Sequence, residues 1–343
     1  MSESLNIISN EKISLQNDSF FCDNIDLKSI PEGLGKHFNL TLIARKALGK
    51  KSHNIKIDKI KLGKNIFIFL FKIFSVLKYK KSKYLIISIT PYTFFAFCLL
   101  LLFGKKPYVY LRSSGHEEYK YIAGFLGAIL YSIMFNFVSL RSELISCNSR
   151  ILMGKKGKII SPSQLNSNWF KPIKKNILDK VKLLYVGRIK VEKGIFSLLK
   201  IIKNLDMEFE FTIISAGDAN DKFVSEKNIK VLNFENKNDS IIEVYDEHNI
   251  FILPSYTEGH PQVLDEALAR KKPVIIFEEI KHVIGNRKGV IVSKRDSTSL
   301  KETIKYVMKN YSSIQTEMEK NKLPNKELFL KEMKTIINNE TLQ

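Results

Sequence analysis

Cysteine is scarce in this chain: Cys22, Cys98 and Cys147 are all there are in 343 residues. Their number is odd, their spacing is wide, and no C-x-x-C or Cys/His cluster occurs. A disulfide framework and a metal site are thereby disfavoured, and a reducing compartment is expected. Acidic residues are also in deficit, and the deficit is local. Residues 1–180 carry 29 Lys plus Arg against 11 Asp plus Glu, whereas 181–343 carry 26 against 24. The first 20 residues lack the basic start and apolar centre of a signal peptide. Short internal repeats and long disordered stretches are missing as well.

What is present is enough apolar material, 44% of the chain, for two cores, and a length that suits two domains. Short apolar runs at 5–9, 40–44, 83–90, 107–112 and 143–148 read as strands. Helical patterns at 26–38, 64–77 and 94–103 separate them. After a Pro/Ser/Asn-rich linker at 161–180 the alternation resumes, with strands at 182–186, 210–215, 229–232, 250–253 and 273–277. Strands alternating with helices of this length predict an α/β fold with parallel sheets covered on both faces. The expected domains are 1–165 and 166–325, followed by a helical tail at 326–343.

Residues 251–277, FILPSYTEGHPQVLDEALARKKPVIIF, are the most informative stretch. An apolar run ends at Pro254 and Ser255, a polar loop follows, and a helix begins with Pro261 as its first residue. Proline is tolerated there because its missing N–H costs nothing. Such a unit presents a helix N-terminus at the carboxyl end of a strand, where amides and the helix dipole favour a phosphate. Glu258 in the loop and Glu266 in the helix are placed to hold hydroxyls on either side of it. Phosphates in the middle and polyols at both ends describe a nucleotide sugar.

Residues 183–194, LLYVGRIKVEKG, supply the cations. A buried strand ends at Gly187, and Arg188 and Lys193 fall in the loop before a helix at 195–205. Arg offers a fork of donors and Lys a mobile point charge. Each charge-assisted bond contributes about 1.5–3 kcal/mol. The plain alternative is two solvated loop cations in a Lys-rich chain; the glutamate segment favours a shared diphosphate site.

The two segments together resemble the large group 1 family of retaining nucleotide-sugar glycosyltransferases with the two-domain GT-B fold. The family pattern G-R-x-x-x-E-K-G is met at 187–194, P-S-x-x-E-G-x-P at 254–261, and E-A at Glu266 and Ala267. The spacing of seven residues between Glu258 and Glu266 is kept. The resemblance is tight over about 180–310 and loose over 1–170. It implies two Rossmann-like doubly wound domains facing a cleft, with the last helix crossing back to the first. By the same resemblance, Arg188 and Lys193 bind the donor diphosphate, Glu266 holds the ribose hydroxyls, and Glu258 faces the transferred sugar and belongs to the catalytic set. The backbone from Gly259 through Pro261 and Gln262 to Val263 meets sugar or phosphate, and Gly187 and Gly217 complete the donor site. The family's mid-domain glycine pair is half kept, as Ser215, Ala216 and Gly217, and the added Cβ atoms bear on nucleobase contact.

The resemblance also implies retention of anomeric configuration, through an oxocarbenium-like state in which a leaving phosphate oxygen takes the acceptor's proton. No D-x-D pair for a magnesium-bound nucleotide sugar occurs; Asp218 and Asp221 are three apart. Metal-free, cofactor-free transfer is therefore expected, with Arg188, Lys193 and a helix N-terminus neutralising the leaving group. Domain closure is expected to exclude water. The loop after the first strand, SNEKISLQNDSF, has no glycine where the family commonly does, so its backbone approaches a phosphate less freely. Lys12 is the residue there that supplies charge instead.

His116 ends PYVYLRSSGH and is read as a loop residue at a strand's carboxyl edge, where α/β sheets place ligand contacts. The resemblance makes it the second catalytic candidate, facing the transferred sugar, with Arg112 and Glu117 as neighbours; a plain loop or capping histidine is the alternative. His260 is read as a packing or hydroxyl contact, and His37, His53, His248 and His282 as surface residues.

The excess positive charge sits among apolar stretches: NIFIFLFKIFSVL (65–77), TFFAFCLLLLF (93–103) and YIAGFLGAILYSIMFNFVSL (121–140). Lysines interleaved with apolar segments fit a protein resting on anionic lipid. The third stretch is long enough to cross a bilayer. Gly124, Gly127, Ser132, Asn136 and Ser139 dilute it, and a strand of the same sheet follows, so an interfacial helix and an ordinary core helix compete with a spanning one. The combined expectation is a cytoplasmic glycosyltransferase, peripheral on the inner membrane face. Its acceptor is expected to be lipid-linked or a surface polysaccharide such as lipopolysaccharide. A sugar-nucleotide epimerase shares the architecture but needs an array of acid–base carboxylates and histidines, of which this chain shows few. A nucleic-acid binder fits the basic charge only; Arg is sparse and the aromatics lie in apolar runs, so nucleic acid is not expected as a partner.

Overall fold

Four-residue runs of Ile, Leu, Val, Phe and Tyr form the strands Tyr108–Leu111, Ile250–Leu253 and Val274–Phe277, each buried along its whole length, as parallel strands covered on both faces are. The computed structural model describes residues 3–339 apart from 50, 78–80, 174–177, 216–227 and 234–240. The chain divides into two compact units, one of 1–162 with 327–343 and one of 163–326.

The first unit contains β1 (Ser4–Gln16), β2 (Ser19–Cys22), α1 (Ile25–Leu34), β3 (Asn39–Lys46), β4 (His53–Ile55) and β5 (Ile60–Gly63). It continues with α2 (Ile66–Leu77), β6 (Ser82–Ile87), α3 (Pro91–Leu102), β7 (Tyr108–Leu111), α4 (Gly115–Ser139), β8 (Glu143–Ser146) and β9 (Lys158–Ile159). Among the described residues the parallel order is β5-β3-β1-β6-β7-β8-β9. One core lies between the sheet and α1; the other lies under α2, α3 and α4. Thr90 caps α3 in a reciprocal capping box with Thr93, ahead of Pro91.

One expectation fails here. The stretch read as a loop after the first strand is the continuation of β1, which bulges between Ile8 and Lys12 and then pairs antiparallel with β2. Asn17 and Asp18, at φ 45° and 58°, make the turn in place of glycine. Asn and Asp tolerate the left-handed region because their short polar side chains bond locally.

The second unit is made of β10 (Lys182–Val186), α5 (Ile195–Lys203), β11 (Glu210–Ser215), β12 (Ile229–Asn233), α6 (Ile241–Glu247) and β13 (Ile250–Leu253). Then come α7 (Gln262–Ala269), β14 (Val274–Phe277), β15 (Val290–Ser293), α8 (Ser297–Lys309) and α9 (Tyr311–Met318). Its sheet is parallel in the order β12-β11-β10-β13-β14-β15. The order reverses between β10 and β13. Open α/β sheets bind ligands at such a switch point, beyond the carboxyl ends of the strands.

The last helix, α10 (Lys326–Ile337), belongs almost wholly to the first unit. Phe329, Met333, Ile336 and Ile337 join its core, and the Tyr108 hydroxyl donates to the Ile337 carbonyl at 3.1 Å.

Candidate functional site

At the end of β10 the Gly187 amide donates to the Ile214 carbonyl at 3.0 Å, and Arg188 is exposed in the following loop. The chain then makes a short 3-10 turn at Val191–Lys193 and passes through Gly194 at φ 67°. A Cβ on Gly194 would lie 1.9 Å from the Pro254 carbonyl oxygen. Only glycine lets the loop after β10 press against the loop after β13. The Tyr256 amide donates to the Glu192 carbonyl at 3.0 Å across this seam.

The seam brings the two charged candidates into contact. Lys193 Nζ lies 2.6 Å from Glu258 Oε1, and Ser255 Oγ donates to the same oxygen at 2.7 Å. The Glu258 side chain is only 10% exposed, so its charge is held by Lys193 and Ser255 rather than by solvent. The Glu258 carbonyl is 2.9 Å from His282 Nε2. Arg295 pairs with Glu279 and lies over the Tyr256 ring, 4.2 Å from its centre.

The helix that follows starts one residue later than expected. Pro261 is the capping residue, with extended ψ of 107°, and α7 begins at Gln262. Its extended conformation turns the chain into the helix, and the Leu264 amide donates to its carbonyl at 3.1 Å. Glu266 stands in the second turn, where the Tyr245 hydroxyl donates to Oε2 at 2.9 Å. Burial raises the Glu266 carboxyl to about 7; the Tyr245 hydrogen bond opposes this and the neighbouring Asp265 charge adds to it. Burial also drives the Tyr245 hydroxyl well above its ordinary value, with the Glu266 charge adding to it, so Tyr245 remains a donor. Asp265, the preceding residue of α7, is also buried. Burial pushes its carboxyl up, but hydrogen bonds from His260 and Arg287 outweigh that and hold it below its ordinary value. His260 Nε2 is 2.9 Å from Asp265, and Arg287 meets both carboxylate oxygens, at 2.6 and 3.0 Å.

The second unit therefore gathers Gly187, Arg188, Lys193, Glu258, Gly259, Pro261, Gln262, Val263 and Glu266 at the ends of the adjacent strands β10 and β13 and the start of α7. Gly217, Asp218 and Asp221 lie outside the described residues. His116 belongs to the first unit, and not to a loop: it stands in the first turn of α4, Nδ1 3.5 Å from Glu117 Oε1. Ser114 caps that turn, which is why the helix begins earlier than the apolar run. His248 is buried, Nδ1 2.7 Å from the Val244 carbonyl, and burial lowers its affinity for a proton. Sequence reading missed Ser255, Tyr245, His282 and Arg295. Only Ser255, inside the motif, carried a local signal; the others reach the site from α6, the turn after β14 and the end of β15. Among the described residues no group of His, Cys, Asp and Glu could hold a metal ion.

Residues 167–323 match the family model described as glycosyl transferases group 1. The matched segment is a little under half of the chain. It holds both charged loops, α7 and all six strands of the second sheet. The teichuronic acid biosynthesis glycosyltransferase TuaC of Bacillus subtilis is 30% identical over 129 residues, 37% of this chain and 33% of that one. The capsular polysaccharide biosynthesis glycosyltransferase CapM of Staphylococcus aureus is 29% identical over 150 residues, 40% of this chain and 39% of that one. The matches thus span between a third and two fifths of these relatives' length. In the solved structures, sucrose-phosphate synthase from Thermosynechococcus elongatus superposes with TM-score 0.70 at 14% identity, covering 98% of each chain. Anabaena HepE, in complex with UDP-glucose, gives TM-score 0.67 at 12% identity, again over 98% of each. Identity this low shows the fold, and the fold is GT-B: two α/β units, each built on a mainly parallel sheet.

Proposed function

We propose that the protein is a glycosyltransferase of polysaccharide biosynthesis, moving a sugar, with retention and without a metal, from a nucleotide sugar to a glycan or lipid-linked acceptor. The observation that carries this reading is the convergence of Lys193 and Glu258, 2.6 Å apart, on the switch point beside the start of α7. Lys193 and Arg188 take the donor diphosphate, and the first-turn amides of α7 add partial positive charge. As the bond to the sugar breaks, these groups meet the growing negative charge on the leaving phosphate. Glu266, held by Tyr245, accepts hydrogen bonds from the ribose hydroxyls. Glu258 faces the sugar and, being locked by Ser255 and Lys193, keeps its orientation through the reaction. A leaving phosphate oxygen takes the proton of the acceptor hydroxyl, which attacks from the same face, so no protein base is needed.

Support comes from the group 1 match and from relatives named for teichuronic acid and capsular polysaccharide synthesis. Incubation with UDP-glucose, the donor held by the structurally similar HepE, and with other nucleotide sugars is the direct test. Transfer is followed by release of the nucleoside diphosphate, anomeric outcome by NMR of the product, and metal dependence by adding a chelator. Normal transfer by Arg188→Ala or Glu266→Ala protein overturns the site; inverted product or loss of activity in chelator overturns that part of the mechanism.

A further inference from the structure

The three helices that cover one face of the first unit's sheet are apolar on both sides. Their inner residues, such as Phe69, Phe97 and Phe135, fill the core. Their outer residues are apolar as well: Phe67 and Phe71 on α2, Leu102 on α3, and Phe125, Leu126 and Ile133 on α4 are 60–81% exposed. The helices are contiguous, the Phe74 ring meeting Phe103 at 5.5 Å and Phe94 meeting Phe137 at 5.8 Å. A helix apolar all round belongs to a deep core or to lipid, and a patch this wide is more than the scattered apolar residues of a soluble surface.

Among the described residues α4 is the one helix long and apolar enough to cross a membrane. It is broken at Ala123 (φ −136°, ψ 23°) and Gly124 (φ 61°, ψ −150°). The straight part beyond the break is about 22 Å long, short of a hydrocarbon core of about 30 Å. One stripe of it, including Tyr131, Phe135 and Val138, is locked in the core. The break also opens a groove of about 360 Å³, with His116 and Lys120 among its polar lining and Phe125, Ile129 and Ile133 among its apolar lining. Lys64 before α2, Lys120 before the break and Arg141 after α4 are exposed at the borders of the apolar face.

We propose that the outer face of α2, α3 and α4 docks on an anionic lipid bilayer. It lies in the interface with its apolar side chains among the acyl chains and Lys64, Lys120 and Arg141 at the headgroup phosphates. The groove in α4 seats one lipid, the phosphate at His116 and Lys120 and the first acyl carbons along Phe125, Ile129 and Ile133. Charge decides between lipid and a second copy of the chain: with 29 basic against 11 acidic residues over 1–180, two such faces repel each other, whereas an anionic bilayer complements either. The surface belongs to the first unit, and the proposal uses no residue of the second.

Flotation of the full chain with phosphatidylglycerol/phosphatidylcholine vesicles tests this. The protein is expected to float with these vesicles, less so at high salt, and far less with phosphatidylcholine alone. The double substitution Phe125→Glu with Leu126→Glu lowers partition on the order of ten-fold per residue, and Lys120→Glu or Arg141→Glu on the order of five-fold each. The UDP-glucose thermal shift on the same proteins reports folding of the donor-binding unit; its absence in the wild type bears on the donor site alone. If the double variant fails to fold, hydrogen exchange of the wild type decides: anionic vesicles slow exchange at the bend, 121–126. The surface is refuted by wild-type protein that ignores anionic vesicles, by unchanged partition of the folded double variant, or by a dimer that the double substitution dissociates without any vesicle binding.

Discussion

Lys193 and Glu258 are 65 residues apart in sequence and 2.6 Å apart in space, and neither is comfortable alone. Removing Lys193 takes a cation from the diphosphate and leaves the nearly buried Glu258 charge with Ser255 only. Lys193→Met is therefore expected to lower kcat/KM by about 10²-fold or more, the scale of one lost donor to a developing anion. A steady-state assay of nucleoside diphosphate release shows it. Glu266 gives a pH test. With its carboxyl at about 7, it ionises late, and donor affinity is expected to fall as pH drops below that value, because only the carboxylate accepts both ribose hydroxyls well. Tyr245→Phe removes the hydrogen bond that opposes the rise and should move the acid limb of donor binding upward; an unmoved limb assigns Tyr245 to packing. The sign for stability is opposite. A carboxyl raised in the folded state stabilises fully at low pH and loses that contribution as pH rises through about 7. Glu266→Gln, which never ionises, is expected to gain in melting temperature over the wild type at about pH 8 and not below about pH 4, as calorimetry at the two pH values will show.

Among the elements, the turn into α5 carries the tightest constraint. Gly194 combines φ 67° with a carbonyl 1.9 Å from where a Cβ would be. Gly194→Ala must force the Pro254 loop away, which separates Lys193 from Glu258. A loss of more than about 2 kcal/mol in urea unfolding is expected, together with loss of nucleotide-sugar binding. The glycine stood in the motif as a letter; its reason is the approach of two strand-end loops. The β1–β2 hairpin shows the reverse case. The sequence lacked the expected glycine, and Asn17 and Asp18 made the turn instead, so a rule about one residue type misread the element.

At the scale of the molecule, the chain holds two α/β units, and the group 1 match falls within the second. A donor that binds only the folded protein stabilises by about 2.7 kcal/mol at a hundred times its dissociation constant. For a unit of this size that is a rise of roughly 5–10 °C in melting temperature. A nucleotide-sugar screen by thermal shift is expected to find at least one such ligand, and the Arg188→Ala protein to lose most of the shift. A flat screen across uridine, guanosine and adenosine donors counts against the site.

The sequence by itself determined the alternation of strand and helix, the strands at 182–186, 210–215 and 250–253 to the residue, and both charged loops, because these depend on local pattern and on groups close in the chain. It did not show β15 or the helices α6, α8 and α9, whose weaker or shorter patterns become elements only by packing against the sheet. The tertiary structure alone decided which charges meet. Lys193 reaches Glu258 from the loop after β10 and Tyr245 reaches Glu266 from α6, and the first meeting rests on a sheet order that puts β10 beside β13. It alone decided, too, that the 121–140 run is bent and half embedded in a core, since an apolar helix has no way to record in its own sequence which of its sides another element will cover.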